Sequence, residues 1–438
     1  MINNIIEILF DNAKKYHDKT AIIHKNEKIS YAELAQDIKV YAQYFLSKGI
    51  KKGDNVLIFV PMSIELYKIL SAIFYIGATA VFVDAWADKN RLEQALTIVP
   101  CSAFIGCPKA FLLKFLSKKI GDVKINIVSG RIKKAKDNCK EKEIQSATPD
   151  TTALITFTTG STGIPKAAKR THDFLLEQHY VLKKHLNPKE NDIDLTSLPI
   201  FVLHNLACGT TSVIPDFNPQ KPAEINPEKI IKDIEKNHVT TSVGSPVFYE
   251  KLTKYGEIKG MKKIFTGGAP VFPKTAKLLN ESFINCDVEI VYGSTEAEPI
   301  ASISTNEFLN FCGDIKDGLY AGKPIDDINL KIIKPSDEIV EDFESMWLKN
   351  GEIGEICVEG KHVLKEYYNS EKAQKFTKIF YNGQIWHRTG DAGYLDNEGR
   401  LFLMGRIKNR FENKGETVYL FPIENTLLEI KGIKPEQF

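Results

Sequence analysis

The sequence lacks a charge excess of one sign, paired cysteines and a long uninterrupted apolar run. Lys and Arg number 58 against 56 Asp and Glu, a net charge of +2, and so near a balance gives no support for a dedicated nucleic-acid or polyanion binder. The seven cysteines (Cys101, Cys107, Cys139, Cys208, Cys286, Cys312 and Cys357) are odd in number and scattered, with no CxxC pair. That pattern argues against a disulfide framework and against a structural zinc site. The N-terminal stretch has no basic start, apolar run and small-residue cleavage site in sequence, so no secretory signal is read there. The most apolar region, 57–83, is interrupted by Glu65 and Lys68. What remains, Ile69 to Val83, is shorter than the ~20 residues a bilayer requires, and reads as a buried helix feeding a buried strand. The expectation is a soluble, cytoplasmic protein with reduced thiols and no transmembrane segment. No GxGxxG follows the early strands, which disfavours a nicotinamide enzyme. No histidines show HExxH or similar metal spacing, and His172 and His179, on one expected helix, read as ordinary.

What is present is a chain of 438 residues, 43% apolar and 26% charged, enough for a large core and about two to four domains. From about residue 30 to 295 helical and strand patterns alternate. In YAELAQDIKVYAQYFL, Tyr31, Leu34, Ala35, Ile38, Ala42 and Phe45 fall on one helical face, and Gly49 stops the helix before the apolar strand NVLIFV. Further strands are read at ATAVFV, TALITF, TTSVG, KKIFTGG and VEIVYG. Helices are read near 62–76, 88–99 and 227–238, across THDFLLEQHYVLKKHL, and from Pro246 and Pro273. Such alternation implies mostly parallel sheets covered by helices. After residue 310 short strands separated by Gly, Asn and Asp turns (NLKIIK, EIGEICVEG, WHRTGDAGYLD, RLFLMG) suggest a small antiparallel or barrel-like region. The expected fold is α/β, with two stacked, helix-covered, mostly parallel sheets and a small β-barrel-like subdomain. The expected divisions are a first lobe over 1–150, ending in a polar, Lys-rich linker, a second lobe over 151–310, the β subdomain over 311–404, and the opening of another unit over 405–438.

The strongest local signal is TTGSTGIPKAAKR, Thr158 to Arg170, placed after a strand and before a helix. Thr158, Thr159, Gly160, Ser161, Thr162 and Gly163 offer hydroxyls and backbone N–H groups to phosphate oxygens. Lys166 adds a point charge. The spacing is not the Walker pattern, since Ile164 and Pro165 separate Gly163 from Lys166. A Gly/Ser/Thr loop by itself is an ordinary surface turn; the strand before it and the Pro-Lys ending shift the balance.

This string resembles the phosphate loop of adenylate-forming enzymes, the superfamily of acyl-CoA synthetases, luciferases and peptide-synthetase adenylation domains. Further matches follow in order: GGAP (Gly267, Gly268, Ala269, Pro270), YGSTE (Tyr292, Gly293, Ser294, Thr295, Glu296), GEIGEICVEG, TGDAGYLD and GRIKNRFENKG. The resemblance implies ATP and Mg2+ as cofactors, with coenzyme A in thiol-using members. It implies that GGAP lies beside the adenine and that Tyr292 stacks on it. Glu296 is implied to hold magnesium and Thr295 to bond the forming acyl phosphate. Asp391 would accept from both ribose hydroxyls, and Arg406 would contact ribose or phosphate. Lys408 takes the hinge position between two catalytic conformations, Gly415 the loop lining the second-step site, and His204 a place near the carboxylate pocket. A lone His among apolar residues is otherwise an ordinary core histidine. An acyl tunnel is placed, by resemblance, near Val243, Gly244, Phe248 and Gly268.

Several strings (SVIPDFNPQKPAEINPEKI, SVGSPVFYEKL, YGSTEAEPIASI, LKEYYN and WHRTGDAGYLD) look closer to the fatty-acid-ligase-like branch that includes olefin β-lactone synthetases. The implied activity is ATP-dependent conversion of a fatty acid to an acyl adenylate, then closure of a β-lactone by a 3-hydroxyl. An acyl-CoA or acyl-carrier ligase is the alternative. A nucleotide-binding scaffold that has lost its chemistry is the alternative of another class. Family members carry a C-terminal domain whose late lysine contacts the substrate carboxylate and α-phosphate. With Phe438 last, the matching lysine is absent, so the expectation is a truncated C-terminal domain after the hinge, or a partner chain that completes the site. ATP binding with slow adenylation would follow; pyrophosphate exchange on this chain alone tests it.

Overall fold

The computed structural model describes residues 2–83, 89–132, 147–159, 165–218, 221, 224–311, 318–428 and 430. Most of the Lys-rich segment expected as a linker lies outside them. The chain forms two compact units: Met1–Asp216 with Glu366–Ala373, and Phe217–Lys365 with Gln374–Phe438.

In the first unit the helix Tyr31–Lys48 begins where Ser30 and Glu33 close a capping box, each side chain accepting the other's backbone N–H, and ends at Gly49 with φ +95°. Both devices satisfy backbone groups that a helix leaves orphaned at its ends. Its buried face is Tyr31, Leu34, Ala35, Ile38, Tyr41, Ala42 and Phe45, which is the expected stripe plus Tyr41. The apolar stretch becomes the helix Ile64–Tyr75, nearly all of it buried, and the strand Thr79–Phe82. Its two interrupting charges are engaged by neighbours: Tyr41 donates to Glu65 at 2.7 Å, and Lys68 pairs with Asp37 at 2.6 Å. Among the described residues no helix is long and apolar enough to cross a membrane.

Two sheets organise this unit. One runs in the order Ile125–Val128, Ala103–Gly106, Asn55–Phe59, Thr79–Phe82, Thr152–Thr159, Pro165–Thr171. It is parallel except at the final pair, which is antiparallel. The other carries the parallel strands Ile193–Thr196, Thr211–Ile214 and Thr20–His24, edged by antiparallel Glu27–Ser30. Central strands such as AFIG and TSVI are buried along their whole length, as helices on both faces require. One expectation is corrected here. TTGSTGIPK does not lead into a helix: the strand Pro165–Thr171 intervenes, with Thr159 facing Pro165 across the ladder. Residues 160–164, outside the described residues, therefore stand between two antiparallel strands in the sequence, and no helix N-terminus directly follows them.

In the second unit, parallel strands Thr241–Gly244, Lys263–Gly267 and Asp287–Ser294 are followed by antiparallel Ala297–Ser304 and Leu319–Pro324. The sheet continues, all antiparallel, through Leu401–Arg406, Gln384–Leu395, Gly354–Glu359 and Asn329–Ile333, with Lys378–Tyr381 also on Gln384–Leu395. This is the small β region read after residue 310; its strands form an open sheet and close no barrel among the described residues. Phe411–Asn413 and Glu416–Val418 make a hairpin whose two turn residues, Lys414 and Gly415, have φ +52° and +84°, the left-handed pair a tight two-residue turn demands.

Candidate active site

The second unit brings together three of the residues singled out in the sequence. Tyr292 lies near the end of Asp287–Ser294, and Asp391 and Arg406 are cross-strand partners on neighbouring strands. The Tyr292 hydroxyl donates to Asp391 Oδ2 at 2.9 Å, and Arg406 meets Oδ1 at 2.9 Å. The Asp391 backbone N–H donates to Thr389 Oγ1 at 3.0 Å. Burial pushes the Asp391 carboxyl up from its ordinary range, although Arg406 and the Tyr292 hydroxyl pull it down. Burial beside that carboxylate pushes the Tyr292 phenol well up, so it remains a donor at neutral pH. A carboxylate oxygen has two lone pairs, so each Asp391 oxygen retains acceptor capacity after these bonds.

Beneath this group lies a support that sequence reading missed. Arg388 and Glu355 are both buried, with side chains 7% and 5% exposed. Arg388 Nε and Nη2 donate to Glu355 Oε2 at 2.9 and 2.6 Å. The guanidinium also donates to the carbonyls of Glu338, Phe376 and Ser336. Glu355 Oε1 accepts the N–H of Gly390 at 3.2 Å, directly before Asp391. The buried ion pair thus holds the TGD segment, which lies within the strand Gln384–Leu395 at a register shift of the ladder. Both residues stand inside quoted motifs, but nothing in a single sequence shows that they face each other.

Gly267 closes its strand against Val291; a Cβ there would lie 2.4 Å from the Val291 carbonyl oxygen. Gly268 has φ +78°; Ala269 and Pro270 continue the turn. Gly293 sits at a register shift in the ladder, where a Cβ would approach Ala297 O to 2.9 Å. Glu296 donates its N–H to Ser294 Oγ at 3.3 Å and its carbonyl accepts from Leu364 N at 2.7 Å, which fixes the backbone of the turn. Its side chain is partly exposed and Thr295 is exposed. The Glu296 carboxylate lies near enough to act electrostatically on Asp391. Lys408 is exposed in the short 3-10 turn Ile407–Asn409.

Within the first unit, Thr158 faces Lys166 across the Thr152–Thr159/Pro165–Thr171 ladder. The Lys166 ammonium sits over the Tyr367 ring, 5.7 Å from its centroid, within cation–π range. The segment carrying Tyr367 runs along the strand: Tyr368 N donates to Ala167 O at 2.8 Å, and Lys169 pairs with Glu366 at 2.8 Å. Gly160, Ser161, Thr162 and Gly163 lie outside the described residues.

His204 is buried on the helix Pro199–Cys208. Its Nδ1 is 3.2 Å from His179 Nδ1 and its Nε2 3.4 Å from Cys208 Sγ. Burial lowers the His204 imidazole well below the usual value and takes His179 to about 4. His179, read from the sequence as ordinary, is the buried partner of His204. The i, i+4 spacing of His204 and Cys208 was the available signal.

Comparison with known proteins agrees with this architecture. The family of AMP-binding enzymes matches residues 9–368, and the chain belongs to that family. Among its relatives is the olefin beta-lactone synthetase of Xanthomonas campestris pv. campestris, 30% identical over 417 residues, covering 90% of this chain and 75% of that protein. Another is the 2-succinylbenzoate–CoA ligase of Oceanobacillus iheyensis, 27% identical over 440 residues, covering 95% and 82%. In structure, O-succinylbenzoate coenzyme A synthetase from Bacillus subtilis in complex with AMP superposes with a TM-score of 0.83 at 23% identity, covering 99% of this chain and 84% of that one. The same enzyme has been solved with ATP and a magnesium ion.

Proposed function

We propose that this protein uses ATP to activate an apolar carboxylic acid as its acyl adenylate, and that a 3-hydroxyl on the same acid then closes a β-lactone. The observation that carries the nucleotide reading is the Tyr292–Asp391–Arg406 group, a partly buried carboxylate with its geometry fixed from two sides and lone pairs to spare for two ribose hydroxyls. The lactone step rests on the relative named olefin beta-lactone synthetase.

A carboxylate oxygen attacks the α-phosphorus, the bond to pyrophosphate breaks, and the acyl carbon gains AMP as a leaving group. The 3-hydroxyl oxygen then attacks that carbon, AMP departs, and the hydroxyl proton is lost to solvent. The chain's contribution is positioning and neutralisation of phosphate charge. In this reading Tyr292 flanks the purine and Asp391 and Arg406 hold the ribose. Lys166, with Thr158, Thr159 and the 160–163 segment, takes the phosphates, and Thr295 bonds the acyl phosphate. Glu296 offers the hard, partly exposed carboxylate oxygen that magnesium takes together with phosphate oxygens; the ion would offset charge on the phosphates.

A second reading, thioester formation with coenzyme A, is favoured by relatives named CoA ligases. Pyrophosphate release screened over fatty acids with and without a 3-hydroxyl, followed by product analysis, separates the two. Lactone without added thiol supports the first, and thioester only with coenzyme A supports the second. No pyrophosphate from any acid, with no heat stabilisation by ATP, refutes both. Lys166→Ala is expected to abolish stabilisation by ATP; unchanged stabilisation removes Lys166 from the site.

A further inference from the structure

We propose that His179, His204 and Cys208 form a zinc site in the first unit, with its fourth position facing a mostly apolar pocket. His204 and Cys208 are four apart on the helix Pro199–Cys208 and so share a face. His179 reaches them from the helix His172–Leu186. One ligand atom from each residue can be chosen so that all lie within 4.8 Å of one another. Zinc held by imidazole at ~2.0 Å and thiolate at ~2.3 Å places its tetrahedral nitrogens ~3.3 Å apart and nitrogen from sulfur ~3.6 Å. The two Nδ1 atoms are already 3.2 Å apart. Cys208 Sγ, now 3.4 Å from Nε2 of the His204 ring, must turn toward the Nδ1 side to join them.

The surroundings supply a second, independent indication. His179 and His204 line a cavity of about 40 Å³ whose walls are otherwise mostly apolar, among them Phe74, Leu175 and Leu203. That volume holds a water molecule. The same cavity is lined by Ser71, whose hydroxyl is fully buried and has no hydrogen-bond partner. A buried hydroxyl without a partner costs free energy; a water held as the fourth ligand would supply one. Two imidazoles and a thiol are borderline-to-soft donors that suit zinc and do not suit magnesium or calcium. On binding, the thiol S–H bond breaks, a Zn–S bond forms and the proton passes to solvent. Any proton on a ligating Nδ1 shifts to Nε2. The ion would join two helices that are adjacent in the sequence, so its effect falls on the stability of the first unit. It enters no step of the proposed reaction and stands whether or not that reading does.

The sequence argument against structural zinc rested on the missing CxxC pair; this donor set bypasses it through a helical i, i+4 pair and a second helix. The test is metal-free protein titrated with zinc sulfate against a chromophoric chelator, and with cobalt(II) chloride by absorption spectroscopy. The expected result is a single equivalent of zinc and a cobalt spectrum with tetrahedral d–d bands and a thiolate charge-transfer band. Cys208→Ser loses the charge-transfer band and weakens zinc at least about tenfold, while Cys107→Ser keeps both. Zinc raises the melting temperature of the wild type and of Cys107→Ser but not of Cys208→Ser. A wild-type protein that binds no stoichiometric zinc, or a cobalt complex without the thiolate band, overturns the proposal. So does a charge-transfer band that survives in Cys208→Ser. The wild-type spectra decide the matter even if a variant fails to fold.

Discussion

Replacing Arg388 by methionine is expected to be the most damaging single change in the support beneath Asp391. The guanidinium makes five donor contacts: two to Glu355 Oε2 and one each to the carbonyls of Glu338, Phe376 and Ser336. Methionine keeps much of the apolar stem and removes every donor. Glu355 would be left 3% exposed with the Gly390 N–H as its only remaining contact among those described above. Breaking a buried pair from one side costs about 3–5 kcal/mol, a large part of the ~5–15 kcal/mol that holds a typical domain. Urea unfolding at pH 7 measures this loss. The double variant Glu355→Leu/Arg388→Met removes the stranded charge and is expected to recover about 1–3 kcal/mol of it. The three carbonyls still lack donors, so recovery is incomplete. The reasoning is refuted if Arg388→Met costs under about 1 kcal/mol, or if the double variant is no more stable than the single one.

Burial holds the His172 imidazole at about 4, against an unfolded value of about 6.5. Its stabilising contribution is present above pH 6.5 and is lost as pH falls toward 4, because the unfolded chain binds the proton first. Between pH 7.5 and 5 the loss is about 2 kcal/mol, and His172→Phe should flatten the pH dependence of urea unfolding by that amount; identical slopes would clear His172 of the effect. Tyr292→Phe removes one donor from Asp391 and should weaken AMP binding, read by calorimetry, about tenfold, which is ~1.4 kcal/mol; wild-type affinity would show that the hydroxyl does not order the carboxylate. Gly267→Ala drives a Cβ to 2.4 Å from the Val291 carbonyl oxygen and should cost about 1–3 kcal/mol in thermal unfolding, since a paired backbone carbonyl has no rotamer by which to yield. A neutral result would mean that the two strands can separate there.

Much of this fold was legible because its elements obey one dominant signal each. The helix Tyr31–Lys48 has its stripe, its capping box and its glycine stop, and strands such as Asn55–Phe59 are continuous apolar runs. The strand Pro165–Thr171 carried no such signal. PKAAKRT opens on proline, includes three cations and does not alternate, yet it is the terminal strand of its sheet, where proline and charge are tolerated. Ala297–Ser304, interrupted by Pro299, escaped for a related reason. At the site, Tyr292, Asp391 and Arg406 were found through motifs whose residues are near one another in sequence. Glu355 with Arg388, 33 residues apart, and His179 with His204, 25 apart, are pairs that only the folded chain creates.

The antiparallel ladder around residues 160–164 has an evolutionary consequence. The register runs from Thr152 opposite Thr171 to Thr159 opposite Pro165 and sets Thr158 level with Lys166. A slip of one residue in either strand would turn Lys166 to the opposite face of the sheet, so selection on the place of that one cation is also selection on the register of the whole ladder.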